Sequence, residues 1–248
     1  MALSWVTAFL DSTPDRFDES VKFWTAVTGW TLSSRRGEHG QFATLVPSQG
    51  DAYLRVQRVR AGGGLHLDLH VDDVEAFTRH AEAVGALVSL MEGSVPVMTS
   101  PAGMIACAVS HRGEKERPAS RLSANGIAHR VDQVGIDIPA SRYEEETRFW
   151  TDLTGWELRP SQVRKEFSFL VRPDWSPLRL LLQRRDDDDG PARAHLDIAA
   201  GDVDLLVAEH QSLGASIVEK FEHWTAMRDP TGFAYCITGR DPTTGLSP

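Results

Sequence analysis

The stretch His66-Leu67-Asp68-Leu69-His70-Val71-Asp72-Asp73 decides the fold, and it alternates polar with apolar side chains. Because successive side chains of a strand point to opposite faces, the pattern predicts a strand with one polar and one apolar face. Two acidic residues then open a helical pattern. Much of the stretch returns as His195-Leu196-Asp197-Ile198-Ala199-Ala200-Gly201-Asp202. We therefore expect a site on a sheet face that presents His and Asp in two copies.

Other motifs repeat in the same order, which indicates an internal duplication. Residues 23–30 (FWTAVTGW) match residues 149–156 (FWTDLTGW). Cys107 matches Cys236 at the same spacing that relates the two His-Asp stretches. Agreement at several separate motifs makes chance a poor explanation, so we predict two homologous halves.

Each copy is expected to run strand, helix, strands, and then strand, helix, strands again. In the first helix, Trp24 and Val27 lie at helical spacing, and Gly29 is a natural stop. Helices that are segregated from mainly antiparallel hairpins predict the α+β class, with helices outside and a curled inner sheet face, or cup. The expected boundaries are 1–110 for the first domain, 111–128 for a linker, 129–240 for the second domain and 241–248 for a tail.

Composition limits the partners. The 248 residues carry a net charge of -9, which argues against nucleic acid and anionic membranes as partners. No apolar run is long enough to span a bilayer, and no signal peptide is evident. Two cysteines give no disulfide framework, so we expect a cytoplasmic protein.

The repeated helix end at 23–30 and 149–156 resembles the "FY…LGW" motif of the vicinal oxygen chelate superfamily, the glyoxalase, bleomycin-resistance and dioxygenase fold. Residues 229–236 (DPTGFAYC) resemble its terminal hairpin. The chain is similar to tandem glyoxalase-like proteins of actinobacteria. This resemblance implies two tandem domains, each a pair of βαβββ modules that form a curled, mainly antiparallel open barrel. The fold hosts lyases, dioxygenases, isomerases and drug-binding proteins, so it does not name a reaction.

In metal-using members, two histidine or glutamine side chains and two glutamates hold the ion. The resemblance implies that these positions are occupied here by Gln133, Gln183, His195 and Cys236 in the second copy and by Thr7, Gln57, His66 and Cys107 in the first. Both copies keep the histidine and lack both carboxylates. Because neutral amides are poor ligands for divalent ions, we expect no metal; a divalent ion such as Zn, Fe, Ni or Mn is the alternative.

The candidate catalytic groups are two His-Asp pairs, His66 with Asp68 and His195 with Asp197. An aspartate fixes the tautomer of an imidazole and raises its pKa, which suits acid-base work on a bound molecule. A purely structural hydrogen-bonded arrangement is the alternative. A metal shared by His66 and His70 is a further possibility.

The remaining candidates would contact a ligand. Trp224 and Tyr235 lie on the terminal hairpin of the second copy and are candidates for stacking on it. The polar ends of apolar strands are candidates for hydrogen bonding. The full ligand-binding set that we expect is Gln57, Cys107, Gln133, Gln183, Trp224, Tyr235 and Cys236. The two cysteines have a simpler alternative as small buried hydrophobic side chains.

We therefore expect a protein that binds a small organic molecule in one or both cups without a metal, in sequestration, resistance or secondary metabolism. An enzyme of the same superfamily is the alternative: a lyase, isomerase or dioxygenase that uses a His-Asp pair or a divalent metal. A third possibility is that one copy is structural and the second copy works. The expected assembly is a monomeric pseudo-dimer or a homodimer.

Overall fold

A computed structural model describes residues 2–90, 95–162 and 164–246 of the chain. The elements of the first half, in chain order, are β1 (Leu3–Ser12), α1 (Phe17–Thr28), β2 (Thr31–Leu32), β3 (Phe42–Val46), β4 (Leu54–Arg58), β5 (Gly64–Val71), α2 (Val74–Ala83), β6 (Leu87–Leu90), β7 (Pro96–Thr99) and β8 (Ile105–Ser110).

The second half repeats this order after a short strand in the predicted linker. Its elements are β9 (Arg121–Leu122), β10 (Ala128–Ile138), a 3₁₀ turn (Ala140–Arg142), α3 (Tyr143–Thr154), β11 (Leu158–Pro160), β12 (Phe167–Leu170), β13 (Arg179–Arg184), β14 (Arg193–Ala200), α4 (Val203–Ser212), β15 (Ser216–Lys220), β16 (Trp224–Arg228) and β17 (Ala234–Thr238).

The strands form two mixed sheets with the same topology. The first has the order β2-β3-β4-β1-β5-β8-β7-β6, and the second has the order β11-β12-β13-β10-β14-β17-β16-β15, with β9 paired to β10. Strand β5 is parallel to β8 and β14 is parallel to β17, while the hairpins β7–β8 and β16–β17 are antiparallel. Within the described residues neither sheet closes into a barrel. The α+β prediction and the duplication of the fold are confirmed.

Local sequence explains where the helices begin and end. The carboxylate of Asp73 accepts a hydrogen bond from the backbone N–H of Ala76 at the start of α2, and Asp202 caps α4 in the same way. Helix α1 ends at Gly29, whose φ of 63° lies in the left-handed region that favours glycine. The predicted helix stop at this residue is confirmed.

Sequence reasoning missed five short strands: β2, β6, β9, β11 and β15. Four of them end a sheet path, where many side chains are exposed and apolar alternation is weak. The fifth, β9, lies inside the predicted linker and pairs with the start of β10 through Leu122 and Ala128. The linker is therefore partly a hairpin. The acidic residues 186–189 are exposed and lie in a loop, as expected.

Spatial contacts divide the chain into two compact units, and each unit takes segments from both halves. Unit 1 consists of Met1–Phe9, Leu65–Glu116 and Val134–Ala194. Unit 2 consists of Leu10–Gly64, Arg117–Gln133 and His195–Pro248. The predicted domain boundaries at 110 and 129 stay a prediction, because the two compact units each combine segments from both halves and so do not follow these boundaries. None of the helices in the described ranges has the length and apolar character needed to cross a membrane.

Candidate functional site

The polar face of β5 brings the predicted His-Asp pair of the first half next to a cysteine. His66 Nε2 lies 4.0 Å from Asp68 Oδ1. The possible ligand atoms of His66, Asp68 and Cys107 all lie within 4.8 Å of one another, and all three residues are buried. The ring of Phe9 stacks on His66 with centroids 4.6 Å apart. We call His66, Asp68 and Cys107 the first cluster.

Strand register explains why the cysteine joins the pair. Residues two apart on a strand share a face, so His66 and Asp68 point the same way. Strand β8 runs parallel to β5, and Cys107 is the register partner of Asp68. The alternation that places His66 beside Asp68 is visible in the sequence, whereas the strand pairing that adds Cys107 is not.

His70 continues the same face but has different partners. Its Nε2 lies 2.9 Å from Thr7 Oγ1, and its Nδ1 lies 3.5 Å from Glu114 Oε1. Burial by itself raises the pKa of the Glu114 carboxyl, but backbone hydrogen bonds and the neighbouring His70 and His111 hold that pKa below its ordinary value. Among the described residues, the group of possible metal ligands on this face contains Cys107 rather than His70.

The second half repeats the arrangement with closer contact. His195 Nε2 lies 3.3 Å from Asp197 Oδ1. Cys236 is the parallel register partner of Asp197, and the possible ligand atoms of all three lie within 4.8 Å of one another. We call His195, Asp197 and Cys236 the second cluster. Cys236 is half-buried, whereas Cys107 is buried, and neither is in a disulfide.

An arginine that the first cluster lacks enters the second. Arg240 Nη2 donates to Asp132 Oδ1 at 2.5 Å, and its Nη1 lies 3.6 Å from Asp197 Oδ2. The amide of Gln133 donates from Nε2 to the same Asp197 oxygen at 2.5 Å. The sequence comparison aligns Arg240 with His111 in the first half, so the two clusters differ in charge as well as in contacts.

These contacts keep the Asp197 carboxyl ionised. Burial by itself raises the pKa of the Asp197 carboxyl, but His195, Arg240 and Gln133 outweigh burial and hold that pKa below its ordinary value. Burial likewise lowers the pKa of the Arg240 guanidinium, and Asp132 and Asp197 more than reverse that effect. Asp197 is therefore a carboxylate at neutral pH, held next to an imidazole.

Three predicted ligand-contact residues lie on the expected strands. Gln57 is on β4 and Gln183 is on β13, and both are half-buried. Gln57 belongs to unit 2, whereas the first cluster belongs to unit 1. Gln183 belongs to unit 1, whereas the second cluster belongs to unit 2. Trp224 on β16 is the register partner of Thr238, which follows Cys236 by two residues. Trp224 and Cys236 consequently share a sheet face, and Trp224 stacks on Phe221 with centroids 4.5 Å apart.

Tyr235 does not lie on that face, which corrects the expectation that it lines the cup. Its hydroxyl contacts His210 Nδ1 on α4 at 2.9 Å, and only 1% of the residue is exposed. Its ring packs against Phe23 and Trp24 of α1. The physical reason is the alternation of the strand: Tyr235 precedes Cys236 directly, so the two side chains point to opposite faces.

Sequence reasoning missed Arg240 and Asp132. The turn-rich sequence from Gly239 onward predicts a loosely ordered tail, yet the Arg240 side chain is only 11% exposed and Asp132 is fully buried. The only signal was a lone arginine directly after the last strand, which does not by itself point to a carboxylate partner. The family resemblance grouped Cys236 with His195, and the residue pattern paired His195 with Asp197, but neither placed Cys236 beside Asp197.

The two clusters differ in how well they fit a divalent metal. The first offers an imidazole nitrogen, a carboxylate oxygen and a thiol sulfur, which are donors that zinc accepts. The second offers the same donors, but the guanidinium of Arg240 lies against its carboxylate. Because a cation at this cluster would face that positive charge, the second cluster does not fit a divalent ion as the first does.

Comparison with known proteins places these features in a wider group. A family model described as "Glyoxalase-like domain" matches residues 7–109 and again 133–238. A search of curated proteins found no match. The actinobacterial affinity stays a prediction.

Solved structures share the fold over nearly the whole chain. One is a 2,2',3-trihydroxybiphenyl 1,2-dioxygenase from Sphingomonas wittichii, with 16% identity, a TM-score of 0.63, and coverage of 99% of this chain and 92% of the other. Another is a Mn(II)-bound glyoxalase from Novosphingobium aromaticivorans, with 17% identity, a TM-score of 0.64, and coverage of 96% and 82%. A third is the 2,3-dioxygenase LapB from a Pseudomonas species, with 12% identity, a TM-score of 0.62, and coverage of 98% and 94%. At these identities the likeness shows the fold alone.

Proposed function

We propose, from the premise that this chain belongs to the glyoxalase-like domain family, that its second cluster binds a small organic molecule without a metal. His195 and the half-buried Cys236 would supply polar contacts, and Trp224 on the same sheet face would supply an aromatic surface. Asp197 would orient the imidazole, so the same arrangement also suits proton transfer on the bound molecule. We keep the cytoplasm as the expected compartment, since neither cysteine is in a disulfide.

The observation that carries the proposal is the position of Arg240. Its Nη1 lies 3.6 Å from the Asp197 carboxylate, so a cation bound at that carboxylate would stand against the positive charge of the guanidinium. Two unit charges 4 Å apart interact by about 4 kcal/mol at an effective dielectric constant near 20, and a divalent ion doubles the repulsion. Polar organic groups meet no such penalty.

A second candidate function is a metal site at the first cluster, within the same superfamily of enzymes. His66, Asp68 and Cys107 provide three chemically suitable donors. One solved structure with this fold is a Mn(II)-bound glyoxalase. A divalent ion held there would act as a Lewis acid toward an oxygen of the substrate. His66 and Asp68 would then be ligands rather than an acid-base pair.

Metal analysis of protein purified without chelator, and then loaded with zinc, separates the two candidates. We expect no ion at the second cluster, so Cys236→Ser should leave the zinc content unchanged. If the second candidate is right, one ion binds per chain and Cys107→Ser releases it. Zinc that is lost in Cys236→Ser and kept in Cys107→Ser would contradict the metal-independent proposal.

Binding of a small aromatic probe tests the same proposal directly. We expect catechol to perturb the fluorescence of the protein saturably in the presence of a chelator. Trp224→Ala and His195→Gln should each weaken binding by about tenfold, because each removes a direct contact. His223→Gln is a matched control, since His223 is exposed. Binding that the chelator abolishes would sink the metal-independent proposal.

A further inference from the structure

We infer that the chain carries a second binding site, for a small oxyanion, where the linker meets the start of β10. Arg121 and Arg130 line it together with Trp30 and Tyr53, and Arg117 lies beside Arg130, since both reach the carbonyl of Thr243. All of these residues belong to unit 2, and none belongs to either His-Asp-Cys cluster.

The site is a real concavity. An open pocket of about 270 Å³, its mouth included, is lined by residues that include Trp30, Tyr53, Arg121, His129 and Arg130. The rings of Trp30 and Tyr53 meet edge to face with centroids 5.1 Å apart. The concavity is shallow and open to solvent, so it can receive only a small polar group at its arginine-lined wall.

Guanidinium nitrogens without partners point to what the ligand is. Arg117 Nη1, Arg121 Nη1 and Arg130 Nε are all buried and make no hydrogen bond within the described residues. Arg130 itself is 5% exposed. Buried N–H donors nearly always have an acceptor, so the unmet donors of Arg121 and Arg130 in the pocket lining, and of the neighbouring Arg117, indicate that an acceptor is to be supplied from outside.

The charges of the three arginines are also unbalanced. In the part of the chain that the structure describes, none of them forms an ion pair with a carboxylate. The two nearest acidic groups are engaged elsewhere: Asp132 pairs with Arg240, and Asp241 accepts hydrogen bonds from the backbone of Thr243 and Thr244. Burial, and then the charge of Arg117, lower the pKa of the Arg130 guanidinium, and Tyr53, Asp132 and Asp241 offset only part of that effect.

An anion would relieve both problems at once. Phosphate and carboxylate groups match the planar fork of a guanidinium and accept several N–H bonds together. The aromatic wall allows the remainder of such a molecule to lie against Trp30. The shared chemistry is therefore a small oxyanion, either a free ion or the anionic group of a metabolite.

Two of the arginines also hold the backbone near Thr243, so substituting them could change stability as well as anion binding. Arg130 Nη2 donates to the carbonyl of Thr243 at 2.8 Å, and Arg117 Nη2 reaches the same oxygen at 3.5 Å. The guanidinium of Arg121 lies where a side chain at Gly29 would be, at the end of α1. We therefore choose Arg117 and Arg121, which are half-buried, and leave the buried Arg130 in place.

The experiment is calorimetric titration of the full chain with inorganic phosphate, phenyl phosphate or acetate, at constant ionic strength set with chloride. We expect one saturable site per chain. Arg117→Gln and Arg121→Gln should each weaken binding by about tenfold or more, as expected for one charge-assisted contact. Arg60→Gln removes the same charge at an exposed position outside the pocket and should leave the affinity unchanged.

The three probes identify the source of the anion. Tighter binding of phenyl phosphate, with quenching of tryptophan fluorescence, would support a phosphate ester that lies against Trp30. A preference for inorganic phosphate would support the free ion. A preference for acetate would support a carboxylate. Absence of saturable heat with all three probes would overturn the inference. So would an affinity that is unchanged in both arginine variants while their unfolding curves match that of the parent protein.

Discussion

At the scale of single residues, the buried pair His210 and Tyr235 shows how a side chain that was assigned to a ligand can serve packing instead. The Tyr235 hydroxyl and His210 Nδ1 share a hydrogen bond of 2.9 Å, in which the tautomer of the ring decides which atom donates. Burial, and then the nearby His129, lower the pKa of His210 from 6.5 to about 4. The folded state therefore holds His210 neutral.

This pair predicts a loss of stability in mild acid. Between pH 6.5 and 4 the unfolded chain binds a proton at His210 that the folded chain excludes. Protonation of His210 in the unfolded chain therefore leaves the free energy of unfolding unchanged well above pH 6.5 and lowers it by about 3 kcal/mol by pH 4. Urea unfolding across this range should show His210→Gln with a flatter pH dependence than the parent. The exposed His223→Gln should keep the parental slope, and equal slopes for the parent and His210→Gln would refute the assignment.

At the scale of elements, a buried tryptophan on α1 and its counterpart on α3 each donate a hydrogen bond to a carboxylate, but the carboxylate comes from a different element in each half. Trp24 Nε1 on α1 donates to Asp229 Oδ2 in a turn at 3.0 Å. Trp150 Nε1 on α3 donates instead to Glu146 Oε1 of its own helix at 2.8 Å, and Ser100 in the matching turn donates to the same oxygen at 2.5 Å. One half supplies the carboxylate from the turn, the other from the helix.

The exchange predicts a compensating double substitution. Glu146→Ser should cost about 2 to 4 kcal/mol, since it leaves buried donors of Trp150, Ser100 and Ala102 without their acceptor. Adding Ser100→Asp copies the arrangement of the other half, where Ser20 occupies the helix position, and should recover a large part of the loss. Denaturant unfolding of the parent, both single variants and the double variant measures the coupling. Strictly additive effects would contradict the exchange.

At the scale of the whole molecule, each compact unit is assembled from segments of both repeats. In unit 2, α1 of the first repeat packs its Trp24 ring against Phe233 and Tyr235 of the second. In unit 1, His80 of α2 contacts the carbonyl of Asp152 in α3 at 2.9 Å. Cutting the chain between the repeats would remove part of both units.

We therefore expect that residues 1–128 and 129–248, expressed separately, do not form stable monomers. Each fragment would expose apolar surfaces that the other covers in the intact chain. Co-expressed fragments should copurify as a one-to-one complex with a cooperative thermal transition, measurable by light scattering and circular dichroism. A monomeric 1–128 fragment with its own sharp transition would show that a repeat folds alone and would contradict this expectation.

Much of the architecture was already determined by the sequence. Alternation in β5 and β14, helical spacing in α1 and glycine stops such as Gly29 are local signals, because the neighbouring residues of one segment decide them. The repeat of these signals was enough to predict two similar sheets and the positions of their His-Asp pairs. Short edge strands such as β6 and β15 escaped because local pattern is weak where side chains are exposed.

The composition of the clusters was decided only by the tertiary structure. Cys107 and Cys236 join the His-Asp pairs through the register of parallel strands that lie far apart in the chain. Arg240 enters the second cluster because a segment beyond the last strand folds back onto Asp132. Register and long-range charge pairing depend on which distant segments meet, and no periodicity within a segment records that choice. For this reason the sequence determined which faces are polar, and the packed chain decided which charges share them.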